Sequence, residues 1–183
     1  DVYIINLHHR QDRRQKILTD NVYQQCFNIY RFDAYYHKTG RWGCARSHLS
    51  LITYARYMKI PWIIILEDDN MFNISAQTLT SVLNILSHNT SNWSIFNGTP
   101  SMWDIINSDG NKSIKKHLCL WDKTNQFIYL DWGQSTNLMM YTSLSYNQML
   151  LYPSVLQHGM DYHIDQFIAN SFNILTWIDG IQY

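Results

Sequence analysis

The stretch PWIIILEDDN, residues 61–70, is the feature that most limits the folds open to this chain. Its apolar, largely β-branched run has the composition of a buried strand. The run stops abruptly at three adjacent carboxylates, Glu67, Asp68 and Asp69. Carboxylates this close raise one another's pKa and cost stability unless a cation or hydrogen-bond donors neutralise them. The fold must therefore end a buried strand where such a partner is available.

Length and charge narrow the class of protein. The chain has 183 residues, of which 46% are hydrophobic, and we expect a single domain over residues 1–183. Its 14 Lys and Arg balance its 14 Asp and Glu, which disfavours binding of nucleic acid or membranes through bulk charge. The apolar runs are too short to cross a bilayer. We expect a cytoplasmic location, or the secretory pathway if a signal precedes Asp1.

The cysteines indicate no cross-link. Cys26, Cys44 and Cys119 are widely spaced, odd in number and form no C-x-x-C pair. This pattern suggests neither a disulfide framework nor a thiolate zinc site. We predict that they are buried free thiols.

Hydrophobic periodicity alternates between strand and helix. Short apolar runs predict strands at 2–7, 29–32, 62–66, 93–96 and 173–178. Helical spacing predicts helices after residue 8, with Ile17, Leu18 and Val22 inward, and at 44–59, 75–86, 143–152 and 163–172. Residues 34–43 predict a loop, and 98–135 a small hairpin. The alternation indicates an α/β fold with a mostly parallel central sheet and helices on both faces.

The three acids fall where such a fold binds ligands, beyond the carboxyl end of a strand. Side chains alternate along an extended segment, so Glu67 and Asp69 would point to one side and Asp68 to the other. Two carboxylates on one side could hold Mg²⁺ or Mn²⁺, with water and substrate phosphates completing the coordination. The alternative is a solvated strand end whose acids cap the next helix or pair with arginines.

Cations follow the first strand. Arg10, Arg13 and Arg14 come directly behind Asn6 and could meet a diphosphate at the same sheet edge. An ordinary solvated helix face, on which Asp12 pairs with the arginines, explains the same pattern.

Two further segments carry polar groups next to apolar ones. GCARSH, residues 43–48, places Ser47 and His48 at the predicted start of a helix, whose N–H groups could serve an anion, although capping and packing alone would explain the pattern. QHGMDYHID, residues 157–165, could supply a metal ligand, a general base or a helix cap at Asp161. Asp165 lies among residues that favour burial, so a carboxylate there needs a reason.

Together, five segments resemble glycosyltransferase family 25, which includes bacterial lipooligosaccharide galactosyltransferases, enzymes of lipopolysaccharide biosynthesis, and the collagen β-galactosyltransferase domains. The segments are VYIINLHHRQDRR, RFDAY, GCARSHLSL, IIILEDDNMF and HIDQFI, in the family's order. The most specific feature is GCxxSH followed by LEDD. Gln166 departs from the acid that collagen-type members tend to have, and residues 98–135 have no counterpart.

The resemblance implies a GT-A fold (Rossmann-like), a UDP-sugar donor, Mn²⁺ or Mg²⁺, and inversion at the anomeric carbon. The acceptor would be a glycan, a lipid-linked sugar or a hydroxylysine. Metal binding is implied for Asp69 and Glu67, and proton abstraction from the acceptor hydroxyl for Asp165. Donor binding is implied for Asn6, Arg10, Arg13, Ser47, His48, Glu67 and Asp68.

The leading hypothesis is thus a metal-dependent inverting hexosyltransferase, with galactose favoured over glucose. A catalytically inactive domain of the same fold that binds nucleotide-sugar or glycan is the alternative. A third reading, an unrelated metal-dependent phosphohydrolase, lacks a nucleophilic Asp after the first strand, where Asn6 stands. The presence of all three acids together with Asp165 favours the enzyme.

Overall fold

The computed structural model describes residues 1–70, 72, 74–98, 116–118, 127–130, 136–153, 163–172 and 174–177. The elements of this part follow in chain order: β1 (Val2–Asn6), α1 (Gln11–Thr19), α2 (Asn21–Cys26), β2 (Ile29–Asp33), α3 (Gly40–Tyr57), β3 (Trp62–Glu67), α4 (Ala76–His88), β4 (Ile95–Asn97), β5 (Lys116–Leu118), β6 (Phe127–Leu130), β7 (Leu138–Thr142), α5 (Ser143–Met149), α6 (Ile164–Ser171) and β8 (Ile174–Trp177).

The strands form one eight-stranded sheet in the order β2-β1-β3-β7-β4-β8-β6-β5. β1 pairs in parallel with β2 and β3, and β4 with β8, whereas the other four pairings are antiparallel. The predicted α/β fold is confirmed, but the sheet is mixed rather than mostly parallel. The difference comes from β7, LMMYT, which the periodicity did not predict. All five of its residues are buried, so its sequence lacks the alternation that marks a half-exposed strand.

The other elements lie close to their predicted positions. β5 and β6 pair as antiparallel strands, which confirms a hairpin within 98–135; the rest of that segment lies outside the described residues. The predicted first helix is divided into α1 and α2 at Asp20, whose carboxylate accepts hydrogen bonds from the Val22 and Tyr23 amides and caps α2. Ile17 is buried as predicted, whereas Leu18 is exposed.

Alternate residues of β3 build two cores on opposite faces of the sheet. Ile63 and Ile65 pack in one cluster with α3, α5 and α6, and Ile64 and Leu66 pack in the other with α1, α2 and α4. The prediction of helices on both faces is therefore confirmed. Cys26 and Cys44 are partly buried and outside any disulfide, and Cys119 lies outside the described residues. No helix of the described part is long and apolar enough to cross a membrane.

The parallel strands bring polar residues to one sheet edge. Asn6 at the end of β1 stands opposite Asp33 of β2, and its neighbour Ile5 stands opposite Glu67 of β3. β7 runs the other way and pairs Leu138 with Leu66, so the chain enters this edge just before β7. Side chains from four strands or strand ends meet here.

The loop 34–39 lies directly against α3. A Cβ at Gly43 would lie 2.3 Å from the Tyr35 carbonyl oxygen. The Ser47 hydroxyl accepts a hydrogen bond from the Tyr35 amide at 3.0 Å and donates to the Gly43 carbonyl at 2.7 Å. Gly43 and Ser47 therefore fix the position of this loop.

Gly43→Ala is expected to lower the free energy of unfolding by about 1–3 kcal/mol, because the opposing atom belongs to the backbone and cannot move without shifting the loop. Gly40→Ala is the matched control, since a Cβ there meets nothing within 4 Å. It should leave stability unchanged or raise it by up to about 1 kcal/mol. Urea unfolding of both variants measures the difference, and equal stabilities would contradict the close approach.

Candidate active site

Asn6 organises the sheet edge. It is almost fully buried, and its amide nitrogen donates to the Arg10 carbonyl at 3.0 Å and to Asp68 Oδ2 at 2.7 Å. Its amide oxygen accepts from Arg31 Nε at 3.0 Å. One side chain thus joins the entry to α1, the end of β3 and an arginine of β2.

Arg13 supplies the cation that the adjacent acids require. Its Nη1 lies 2.8 Å from Asp68 Oδ1 and 3.0 Å from Asp69 Oδ2. The Asp68 side chain is 10% exposed and that of Asp69 48%. Asp68 is therefore held by two partners in a nearly dry position, while Asp69 shares Arg13 and faces solvent.

The expected alternation of the three acids is wrong. β3 ends at Glu67, and the Asn70 amide donates to the Glu67 carbonyl at 3.1 Å, so the chain turns instead of continuing extended. Asp68 and Asp69 consequently share Arg13. Glu67 points elsewhere, toward α3 and the chain before β7.

Glu67 lies in a corner between α3 and the chain before β7, where it contacts other residues than Asp68 and Asp69 do. Its Oε1 accepts hydrogen bonds from the Thr136 hydroxyl and from the Cys44 thiol, the latter at 3.5 Å. His48 Nε2 stands 3.8 Å from the same oxygen. Burial acts to raise the pKa of Glu67, but the interactions with His48, Thr136 and Cys44 outweigh it and hold the pKa below its usual value. The carboxylate is therefore ionised at neutral pH.

Ser47 and His48 do not stand at a helix start, as the sequence predicted. α3 begins at Gly40, so both residues lie inside the helix, where their amides are engaged in helical hydrogen bonds. Both are completely buried. Ser47 holds the loop, and His48 faces Tyr141 and Glu67. Neither lines a described cavity, so contact with a donor would be indirect.

Two cavities adjoin the edge and share Arg10, Arg13 and Asp68 in their walls. The first, called the loop cavity, has a volume of about 320 Å³; it is lined by Ile5, Leu7, Arg10, Arg13, Ala34, Tyr35, Tyr36, His37, Lys38, Gly40, Gly43, Cys44, Glu67 and Asp68. The second, called the helix cavity, measures about 260 Å³; it is lined by Arg10, Asp12, Arg13, Lys16, Ile17, Asp20, Tyr23, Asp68, Asp69 and Asn70.

The loop cavity combines cations with aromatic rings. Arg10 is held in place by Asp12, which accepts from Nε at 2.9 Å and from Nη2 at 2.7 Å; this pairing lowers the pKa of Asp12 to about 2. Tyr35 and Tyr36 also line this cavity and are both exposed. A cavity of this kind suits an anionic ligand that also has a flat ring.

Asp165 is the second residue of α6, and its side chain lies outside the described residues. Its neighbours fix where the helix starts. Ile164 packs in the same core cluster as Ile5 and Ala45, and Arg41 Nη1 donates to His163 Nε2 at 3.1 Å. The start of α6 therefore lies near the start of α3, whose Gly40 and Gly43 line the loop cavity.

Four residues of this edge were not predicted. Arg31 and Asp33 form an ion pair at 2.6 Å, and their spacing of two on a strand, which puts them on one face, was an available signal. The Cys44–His48 spacing of four on a helix was a second. Thr136 precedes the unpredicted β7 and gave no signal.

The comparison with known families bears directly on the two segments that meet at Glu67. The family model of glycosyltransferase family 25, described as an LPS biosynthesis protein, matches residues 38–126. Residues 38–126 are therefore similar to glycosyltransferase family 25. The match includes GCxxSH and LEDD and confirms the family predicted from the motifs. No curated protein matches the chain.

The similarity to family 25 points to glycosyltransferase activity, with a sugar donor and a glycan acceptor. The matched segment carries Glu67, Asp68 and Asp69 on β3 and the turn after it. Asn6, Arg10 and Arg13 precede the segment, and Asp165 follows it.

Proposed function

We propose that this family 25 glycosyltransferase, with the GT-A arrangement that its motifs imply, transfers a hexose, galactose before glucose, from a UDP-sugar to an acceptor hydroxyl with inversion and a divalent metal. The observation that carries the proposal is the loop cavity, in which Arg10 and Arg13 stand beside Asp68 at the carboxyl ends of β1 and β3. Ligands of α/β sheets bind at this edge.

The donor's diphosphate would lie against Arg10 and Arg13. Guanidinium groups bind phosphate oxygens through paired, charge-assisted hydrogen bonds. The uracil ring would lie against the loop that carries Tyr35 and Tyr36. That loop is held to α3 through Ser47 and Gly43, so it is already ordered before the donor binds, which lowers the entropy cost of binding.

The acids fit a hard divalent cation by the chemistry of their donor atoms. Carboxylate oxygens suit Mg²⁺ and Mn²⁺. We assign this ion to Asp69 and Asp68, because Glu67, the other expected ligand, faces Cys44 and His48. When bound, the ion would neutralise charge on the departing diphosphate. Arg13, which holds both acids in the structure, would then have the diphosphate as its anionic partner.

Asp165 would accept the proton of the acceptor hydroxyl. The hydroxyl oxygen bonds to the anomeric carbon on the face opposite the diphosphate, and the bond from that carbon to the phosphate oxygen breaks with its electron pair leaving on UDP. A single displacement of this kind inverts the anomeric configuration. The start of α6 beside α3 supports this role.

UDP release from a panel of UDP-sugars, with Mn²⁺ and with EDTA, tests the proposal. We expect turnover of one donor, UDP-galactose first, that EDTA abolishes and added Mn²⁺ restores. Calorimetry with the same donors distinguishes the failures. Binding without turnover would favour the catalytically inactive nucleotide-sugar-binding domain, and the absence of binding would overturn the assignment of the loop cavity to the donor.

A further inference from the structure

Three potential metal ligands converge where α3 meets the end of β3. Cys44 and His48 lie one helical turn apart on α3, and both face Glu67. Cys44 Sγ, His48 Nε2 and a Glu67 carboxylate oxygen all lie within 4.8 Å of one another. Within the described part of the chain, no other group of three or more His, Cys, Asp or Glu side chains meets this condition.

The separations match those of a tetrahedral transition-metal site. Cys44 Sγ lies 3.5 Å and His48 Nε2 3.8 Å from Glu67 Oε1. Metal–sulfur bonds of about 2.3 Å and metal–nitrogen or metal–oxygen bonds of about 2.0–2.1 Å at tetrahedral angles place ligand atoms roughly 3.3–3.6 Å apart. The two distances to Glu67 would need to change only by tenths of an ångström, and the distance between Cys44 Sγ and His48 Nε2, which is within 4.8 Å, would close to the same range.

The state of His48 points to a ligand at this place. The ring is completely buried, and Nε2 has no hydrogen-bond partner among the described residues, since 3.8 Å to the carboxylate is too long for one. Nδ1 lies 3.2 Å from the Tyr141 hydroxyl. In the tautomer whose Nδ1–H donates to the Tyr141 hydroxyl, Nε2 presents its lone pair toward Glu67 and could bind a metal, and a donating second ring nitrogen is the usual outer arrangement of metal-bound imidazole.

We propose that Cys44, His48 and Glu67 bind Zn²⁺ or a divalent ion of similar softness. A thiolate and an imidazole select such an ion over Mg²⁺ and Mn²⁺. The site is separate from the one assigned to Asp69 and does not depend on the proposed transfer reaction. Binding releases the Cys44 thiol proton to solvent.

The ion would join α3 to β3 beside the donor. Cys44 and Glu67 both line the loop cavity, and the Thr136 hydroxyl contacts the same carboxylate oxygen. The fourth coordination place would therefore fall to Thr136 or to a water from the cavity. A site of three protein ligands with one open place differs from the closed four-ligand sites of purely structural zinc.

Cobalt uptake by the full chain tests the proposal, because Co²⁺ replaces Zn²⁺ and a thiolate ligand gives it a charge-transfer absorption band. We expect one Co²⁺ per chain with this band, and displacement by Zn²⁺. Cys44→Ser should abolish the band and weaken binding by at least about 100-fold, since loss of even an outer-shell partner costs about 10–100-fold. Cys26→Ser is the matched control, because Cys26 is also partly buried but its thiol hydrogen-bonds to α4 rather than to Glu67, and it should keep the band.

Two further measurements distinguish metal binding at this site from binding of the donor's metal ion and from misfolding of the variant. Asp69→Asn should retain the cobalt band, and its loss there would overturn the proposal of a separate site. Zn²⁺ should raise the melting temperature of the wild type and of Cys26→Ser but leave folded Cys44→Ser unchanged. A chain that takes up no cobalt, or a band that survives Cys44→Ser, would show that the three side chains form only a hydrogen-bonded corner.

Discussion

Asp69→Asn is expected to lower the rate of UDP release by about 10²–10³-fold, because the metal contributes several kcal/mol of charge stabilisation and about 1.4 kcal/mol corresponds to tenfold in rate. Folding should be little affected. The Asp69 side chain is 48% exposed, and exposed ion pairs contribute about 0–1 kcal/mol. Initial rates at saturating donor, together with urea unfolding of the same preparation, measure both effects.

Asp33→Asn is the matched control for this substitution. Asp33 also ends a strand at this edge and also pairs with an arginine, Arg31, at 2.6 Å, but it lines neither described cavity. Its replacement should change the rate by no more than about threefold, since surface changes usually fall within about 0.5 kcal/mol. If both variants lost the same fraction of the UDP-release rate, the loss would come from the total charge of this sheet edge and not from Asp69 itself. If Asp69→Asn kept its activity, Asp69 would not hold the metal.

The elements that the sequence predicted are those with a clear local signal. The continuous β-branched run before Glu67 identifies β3 as a buried strand, and the stripe Leu79, Val82 and Leu86 identifies α4 by its helical period. β7 is buried on both faces like β3, but its sequence LMMYT lacks the run of three isoleucines that marks β3, so its composition did not identify it as a strand. β7 lies in the middle of the sheet and is antiparallel to both of its neighbours. A prediction without β7 therefore overestimated the share of parallel strand pairs.

The site was predictable in part for the same reason. Asn6, Arg13 and Asp68 each follow a strand that the periodicity identifies, and parallel strands end at one edge, so their proximity followed from topology. The corner around Glu67 depends instead on how α3 is rotated against β3. Cys44 is 23 residues from Glu67, and Thr136 is 69 residues away. No local pattern specifies those contacts.

Three adjacent carboxylates are tolerated because the fold divides them among different partners. Asp68 is nearly buried and has both Asn6 and Arg13. Asp69 has Arg13 and solvent, and Glu67 has the Thr136 hydroxyl, the Cys44 thiol and the His48 ring. An ordinary solvated strand end would also pair its acids with an arginine, as Asp68 and Asp69 do here. Such an end does not require the two adjacent cavities or the buried histidine.

Asn6→Asp is expected to lower the free energy of unfolding by about 2–4 kcal/mol at neutral pH. The substitution keeps the shape of the side chain but replaces an amide that donates to Asp68 Oδ2 at 2.7 Å with a second carboxylate. Lost hydrogen bonds in a buried position cost about 1–3 kcal/mol, and two like charges in contact add to this. Arg31, which donates to the Asn6 side-chain oxygen, would offset part of the loss.

The pH dependence of this penalty identifies its cause. Repulsion from Asp68 would raise the pKa of the new carboxyl in the folded state above its unfolded value of about 3.9. The penalty relative to wild type is then small below that value and grows as the pH rises through the folded pKa, so urea unfolding should show a larger difference at pH 7 than at pH 5. Asn28→Asp makes the same change beside Asp1 at an exposed position and should cost less than about 0.5 kcal/mol at either pH. A penalty at Asn6 that did not vary with pH would assign the loss to hydrogen bonding alone and contradict the close carboxylate contact.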